Sequence, residues 1–454
     1  MRIFPPPLEI GETEGFTPSK DIFGRARLGA GLTNLVSTIS DPTVIAVDGQ
    51  WGTGKTTFLK MWAGELRKLG FPVVYFDAFE NDFAEDAFTA IASEIIALAE
   101  ALDQSDTPAA KRFFENAKSV GKVLLRSGLK IGVKAASAGI LDAMDFKDAA
   151  KEIGGETATL TDKYLGELLT SQRQQKDAIV GFREALADLP KLLAQAGGGD
   201  EERTTVAKPL VFVIDELDRC RPLFALHLLE RMKHFFSVPN VHFILGAHID
   251  QLHDSIVAMY GSGINARQYL QKFVHLTLFL VDVAEHPHER TAAKFLSYLV
   301  QKMEFAAEDK DVIEASTVLI RHIAHHRNLS LRAIERIMTN IALVLAYTPH
   351  NYLRPGPIVG GLCILKITHP DLYGKAKGGT LQFNEVRGAL ALEEASDTRS
   401  NLEFFAEWWQ YCTDETVAPQ LGTRFRDIQF RFNVERTRIV QLVANDMIDR
   451  LVAR

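Results

Sequence analysis

Eight residues, Gly-Gln-Trp-Gly-Thr-Gly-Lys-Thr at positions 49–56, carry the strongest chemical signal in this sequence. Gly49, Gly52 and Gly54 let the backbone turn tightly without Cβ clashes, so that successive N–H groups converge on an anion. Lys55 brings an ammonium suited to the β and γ phosphates of a nucleotide, and Thr56 a hydroxyl suited to magnesium. Gln50, Trp51, Thr53 and Thr57 complete the loop and the helical turn that would cradle the nucleotide.

A second segment supplies what the first requires. Positions 210–219 read Leu-Val-Phe-Val-Ile-Asp-Glu-Leu-Asp-Arg, an apolar run ending in adjacent carboxylates. Asp215 at a buried strand end is placed to hold magnesium or its water, and Glu216 to orient an attacking water. No Asn-Lys-x-Asp segment follows the later apolar runs to select guanine, so ATP and Mg2+ are the expected ligands. His322, His325 and His326 lack the carboxylate pattern of a zinc helix and read as a surface or packing cluster.

These residues need a scaffold, and the hydrophobic pattern describes one. A β-branched run at 43–47 precedes the glycine loop, a helix is expected over 56–69, a strand over 73–76 and a helix over 83–100. Strand character returns at 210–214 and 241–245. This alternation predicts an α/β fold with a mostly parallel sheet covered by helices. The expected divisions are an N-terminal arm at 1–20, the first part of the core at 21–100 and a helical insertion and linker at 101–205. The second part of the core follows at 206–285, then a helical lid at 286–347 and a C-terminal extension at 348–454. Within that extension, 348–380 reads as turn-rich and the remainder as mainly helical.

Composition narrows the class further. With 46% hydrophobic and 24% charged residues, the chain of 454 residues is globular rather than disordered or fibrous. Three separated cysteines, Cys220, Cys363 and Cys412, build neither a disulfide framework nor a four-thiolate zinc site, which points to reducing cytoplasm. The formal charge of -7 argues against a surface that tracks nucleic acid throughout. The N-terminus reads as no export signal, and the apolar stretches at 276–283 and 341–346 fall well short of the roughly 20 residues that span a bilayer.

The segments 49–60, 73–83, 211–236, 260–273 and 330–340 together resemble the KAP family of P-loop NTPases, within the additional-strand class that includes AAA+ and STAND proteins. The likeness covers roughly residues 20–345, and Asp-Glu-Leu-Asp-Arg-Cys-Arg-Pro at 215–222 is its most discriminating part. It implies the same roles for Lys55, Thr56, Asp215 and Glu216 that their chemistry suggests. It further implies that Asp218 and Arg219 form a structural or relay pair; a helix-start salt bridge is the alternative. His248 falls where relatives often carry a sensor residue facing the γ phosphate. Arg332, with Arg336 one turn on, resembles a lid arginine acting in cis, and Arg267 and Lys272 lie in the region from which related ATPases supply a positive residue in trans.

The expected function is Mg-dependent ATP hydrolysis that drives a conformational or assembly switch, and the family resemblance suggests bacterial defence against phage or plasmids as its setting. The alternatives are a slow nucleotide-binding signalling scaffold and a nucleic-acid remodelling ATPase. Homo-oligomers and a protein partner acting through the insertion or C-terminal extension are the expected assemblies. Lys118, Lys122, Arg126, Lys130 and Lys134 recur every fourth residue, spreading positive charge over about 160° of a helix. That stretch, 118–134, is a candidate contact for nucleic acid or anionic membrane, against the alternative of an ordinary solvated helix, and it carries too many charges to cross a bilayer. Arg424, Arg426, Arg431 and Arg436 add positive charge to the tail.

Overall fold

The computed structural model describes residues 1–83, 91, 94, 177, 179–184, 186–191, 207–235, 237–280, 287–327, 329–349, 351–392, 399–414, 419–425 and 434–450. The basic stretch 118–134, nearly all of the expected insertion, and Arg426 and Arg431 lie outside the described residues. Two compact units emerge. One contains Ile10–Gly49 and Lys55–Leu280; the other contains Met1–Glu9, Gln50–Gly54 and Val281–Arg454.

The first unit is built on five strands, β1 (Thr43–Asp48), β2 (Val73–Asp77), β3 (Leu210–Asp215), β4 (Val241–Ala247) and β5 (Leu276–Phe279). Their order is β2-β3-β4-β1-β5, and every pairing is parallel. β3 and β4 are buried along their whole length, which is why both read as continuous apolar runs rather than alternating ones. Two helices, α1 (Ala26–Thr38) and α2 (Lys55–Lys68), cover one face. There Leu32, Val36, Phe58, Leu59, Trp62 and Leu66 pack on Ile45, Val47, Val73, Val211, Val213 and Ile244. Trp62 ties the pair together, its Nε1 donating to Gly29 O at 3.1 Å and Thr33 Oγ1 at 3.0 Å.

The opposite face carries α3 (Pro222–Phe235), α4 (Ile249–Tyr260) and α5 (Ala266–Leu270). Phe224, Leu228, Leu252 and Ile256 from these helices meet Phe76, Phe212, Ile214, Phe243 and Leu245. Because strand side chains alternate, Val211 and Val213 on the α2 face carry Asp215 to that same face. β5 is an addition to the reading of 276–283 as simply apolar. It pairs only with β1 among the described strands and leaves Leu276 at 41% and Phe279 at 63% exposed, so its pattern lacks the burial signature of the central strands.

The second unit is helical, with α6 (Pro287–Met303), α7 (Lys310–Arg327), α8 (Leu331–Tyr347), α9 (Gly356–Thr368) and α10 (Pro370–Gly378) followed by shorter pieces and a longer helix at Arg399–Thr413. Here the expectation of turns across 348–380 is corrected. Pro357 and Pro370 stand in the first turns of α9 and α10, where a missing N–H removes no intrahelical bond. α9 is buried from Gly356 through Leu365, and a helix surrounded by protein shows no polar face by which to recognise it. Gly360 and Gly361 admit close neighbours: a Cβ there would lie 2.7 Å from Ser316 Oγ and 2.5 Å from Trp409 Cζ2. Both Trp408 and Trp409 are buried in this core. No helix among the described residues is long and apolar enough to cross a membrane.

Candidate functional site

β1 ends at Asp48, and the chain passes through the glycine loop directly into α2, whose first residue is Lys55. Gly52 and Gly54 take φ of 78° and 83°, the left-handed region that a Cβ disfavours. The carboxylate of Asp48 accepts from Ile249 N–H at 3.0 Å and its carbonyl accepts from Leu280 N–H at 2.9 Å, so the strand before the loop is fastened on both sides. Lys55 is 9% exposed and donates to the Gly49 carbonyl. Burial pushes its pKa down, while Asp218, Asp215 and Asp48 oppose the shift.

Parallel register sets the acidic end. Asp77 pairs with Asp215 across β2 and β3, and Gly246 follows the last β3–β4 pair, Ile214 with Leu245. Asp215 is fully buried. Its Oδ2 accepts from Tyr75 OH at 2.7 Å and its Oδ1 from Glu216 N–H at 2.9 Å. Burial raises its pKa, and hydrogen bonds from Tyr75 and Thr56 act the other way. On the β4 side the absence of a side chain at Gly246 makes room: a Cβ would lie 2.5 Å from Asp215 Oδ1 and 2.4 Å from Leu59 Cδ1.

Glu216 leaves the strand in the left-handed region, with φ 58° and ψ 27°, an uncommon conformation for a residue with a side chain. Its Oε1 lies 3.4 Å from Thr56 Oγ1 and its Oε2 accepts from Arg219 Nη1 at 2.7 Å. Burial raises the Glu216 pKa, with Arg219 opposing it. Arg219 therefore pairs with Glu216, three residues away; Asp218 is buried and acts on Lys55. Lys55, Thr56, Asp215 and Glu216 are thus brought to one end of the sheet. His248 caps α4 from an extended conformation, its Nε2 3.9 Å from Asp250 Oδ2.

The loop tip, Gln50–Gly54, groups with the helical unit. Trp51 is largely exposed, and Thr53 donates through Oγ1 to Gln50 O at 2.8 Å. Leu331 N–H at the start of α8 donates to Gly52 O at 3.2 Å, and a Cβ on Gly52 would stand 3.1 Å from Arg332 Cβ. This puts Arg332 beside the loop tip. Arg267 and Lys272 are exposed on the sheet unit, where Lys272 Nζ sits 4.8 Å above the Tyr269 ring, and neither bonds to Lys55, Asp215 or Glu216. Tyr75 and Gly246 were not among the expected site residues; a phenol two positions before an aspartate on an apolar strand, and a glycine interrupting β4, were the available signals.

Chemically, a glycine loop opening a helix of 14 residues supplies oriented N–H donors and a favourable dipole for an anion, with the Lys55 ammonium alongside. Among the described residues no cluster of three or more His, Cys, Asp or Glu side chains forms a dedicated metal cage. Two carboxylates and a hydroxyl do converge, and that sparse oxygen set fits Mg2+, which keeps waters and shares phosphate ligands. His322 instead bonds through Nε2 with Ala391 O at 2.7 Å, consistent with a packing role.

Among curated proteins no match is found. Among solved structures, the chain is similar to the ORC2 protein of Aeropyrum pernix in its ADPNP–ADP complexes, with 12% identity and a TM-score of 0.35 over 99% of this chain and 97% of that one. It is also similar to AMPPCP-bound DnaA from Aquifex aeolicus, with 11% identity and a TM-score of 0.25 over 98% of this chain and 96% of that one. The sequence profile described as the KAP family P-loop domain matches residues 30–348, more than two thirds of the chain. With the parallel sheet and glycine loop in place, this protein belongs to the KAP family of P-loop NTPases.

Proposed function

We propose that the protein is a magnesium-dependent ATPase whose binding and hydrolysis cycle changes the arrangement of its helical unit or of neighbouring subunits. The observation that carries this reading is the convergence of Lys55, Thr56, Asp215 and Glu216 at one end of the sheet. The loop amides and Lys55 bind and orient the phosphates, and their fixed charge favours the transferring phosphoryl group over the ground state. Thr56 and Asp215 would hold magnesium, which when bound supplies charge neutralisation between the phosphates. Glu216 orients the attacking water and draws on its proton.

Arg332, beside Gly52, is assigned to the γ phosphate in cis, and Arg267 or Lys272 to the nucleotide of a second copy. His248 is retained as a γ-phosphate sensor. A cytoplasmic setting is supported by three buried free thiols, Cys220, Cys363 and Cys412. The defence setting rests on family resemblance. A second reading, a slow nucleotide-dependent switch, is favoured by one feature: Arg219 and Thr56 both engage Glu216, which withholds it from water until that arrangement opens.

The test of nucleotide binding is Lys55→Ala. Calorimetry with ATP and magnesium should show affinity falling by roughly tenfold or more, the scale of a lost charge-assisted contact. Unchanged affinity in the folded variant would reject the assignment.

A further inference from the structure

Asp215 is the most deeply placed carboxylate of the site, yet its orientation is set by a neighbouring strand as well as its own. Tyr75 lies on β2 opposite Val213, two positions before the Asp77–Asp215 pair, so strand alternation sends its side chain to the α2 face with Asp215. Its hydroxyl donates to Oδ2 at 2.7 Å. The Glu216 N–H takes Oδ1 at 2.9 Å, and the Gly246 backbone closes in beside that same oxygen where a side chain would collide. The aromatic ring alone would satisfy the packing; the hydroxyl adds a charge-assisted hydrogen bond that fixes the carboxylate plane. Thr56, in the first turn of α2, lies near enough to this carboxylate to oppose the rise of its pKa.

We propose that Tyr75 is a positioning residue, whose hydroxyl holds the Asp215 carboxylate so that its edge toward Thr56 is presented to the cation accompanying the nucleotide. This inference rests on the reading of Asp215 as a magnesium-site residue. Tyr75 touches neither phosphate nor cation in this scheme. It acts through Asp215, and its contribution is therefore confined to the part of nucleotide affinity that requires the metal.

That confinement defines the experiment. The full chain and its Tyr75→Phe variant are titrated with ADP by calorimetry, once in EDTA and once across a magnesium chloride series. Affinity in EDTA should match the wild type, while the magnesium concentration giving half of the metal-dependent gain should rise by roughly tenfold, the low end for a hydrogen bond to a charged group. Asp215→Asn should abolish the gain. Lys60→Met, which removes the ammonium 5.8 Å above the Tyr75 ring and keeps an apolar chain there, should leave the magnesium response at its wild-type value.

A wild-type magnesium response in Tyr75→Phe, with the response lost in Asp215→Asn, would overturn the positioning role and leave the parent reading standing. A magnesium response preserved in Asp215→Asn would instead remove the parent reading, and the inference with it. Equal weakening with and without metal, or a shift in Lys60→Met as large as that in Tyr75→Phe, would assign the tyrosine to packing and overturn the proposal.

Discussion

Adding one methyl group at Gly246 isolates the seat of Asp215 from the opposite side. In Gly246→Ala the new Cβ would lie 2.5 Å from Asp215 Oδ1 and 2.4 Å from Leu59 Cδ1. Neither neighbour has solvent to retreat into, because both side chains are fully buried. Overpacking of this kind costs about 1–3 kcal/mol. Displacing the carboxylate also strains its bonds to Tyr75 OH and Glu216 N–H, and losing one adds about 1.5–3 kcal/mol. The sum, roughly 2.5–6 kcal/mol, corresponds to about 5–24 °C in melting temperature at the sensitivity of a domain of some 200 residues. Calorimetric unfolding measures the shift, and magnesium-dependent ADP binding should weaken in parallel. A double-mutant cycle with Leu59→Ala separates the two contacts: with the aliphatic clash gone, Gly246→Ala should cost less stability than it does in the wild type, while the magnesium response stays weak. Wild-type melting and wild-type magnesium binding in Gly246→Ala would show that the gap beside Asp215 is not needed to seat it.

Glu216→Gln should keep ATP binding while lowering turnover by roughly 10²-fold, the scale of positioned acid–base catalysis. Mixing that variant with an Arg267→Ala, Lys272→Ala subunit tests action in trans, since some mixed interfaces would regain turnover absent from either variant; verified hetero-oligomers without recovery would reject it. His242 is fully buried on β4, and burial pushes its pKa down against weaker opposition from the Ile39 and Val36 backbone. The unfolded chain therefore takes up this proton first, and stability should fall as the pH drops below about 6.5, by about 1.4 kcal/mol per pH unit until the folded-state pKa is reached. Denaturant unfolding at several pH values should show that slope reduced in His242→Phe; an equal slope in both proteins would remove His242 as its source.

The sequence-based expectations succeeded where burial leaves a one-dimensional trace. Val211, Phe212, Val213 and Ile214 form an uninterrupted apolar run because the strand is covered on both faces, and the acidic pair marks its end. β5 was missed as a strand because Leu276, Thr277 and Phe279 are exposed at the sheet edge and share no burial alternation with the central strands. α9 was missed for the opposite reason. Prolines and paired glycines looked like punctuation, whereas Pro357 stands in the first turn and Gly360 and Gly361 are contact points for Ser316 and Trp409. Tyr75 and Gly246 could be read only once strand pairing was known, since lateral pairing in the sheet, not closeness in the sequence, brings β2 and β4 against the end of β3.

The glycines of α9 also bear on how the chain could be shortened. The family profile stops at residue 348, eight positions before α9 begins. Yet the hydrophobic core of the helical unit draws Ile320 and Ile323 from α7, Ile337 and Ile341 from α8, Val359 and Leu362 from α9, and Trp409 and Val443 from beyond it. Cutting at the profile boundary would strip a buried layer from α7 and α8 and turn it toward water, inviting self-association of the fragment. The sequence boundary of the family is therefore not a folding boundary: an excised piece that behaves as a monomer should need the chain through α9 and the segments carrying Trp409 and Val443.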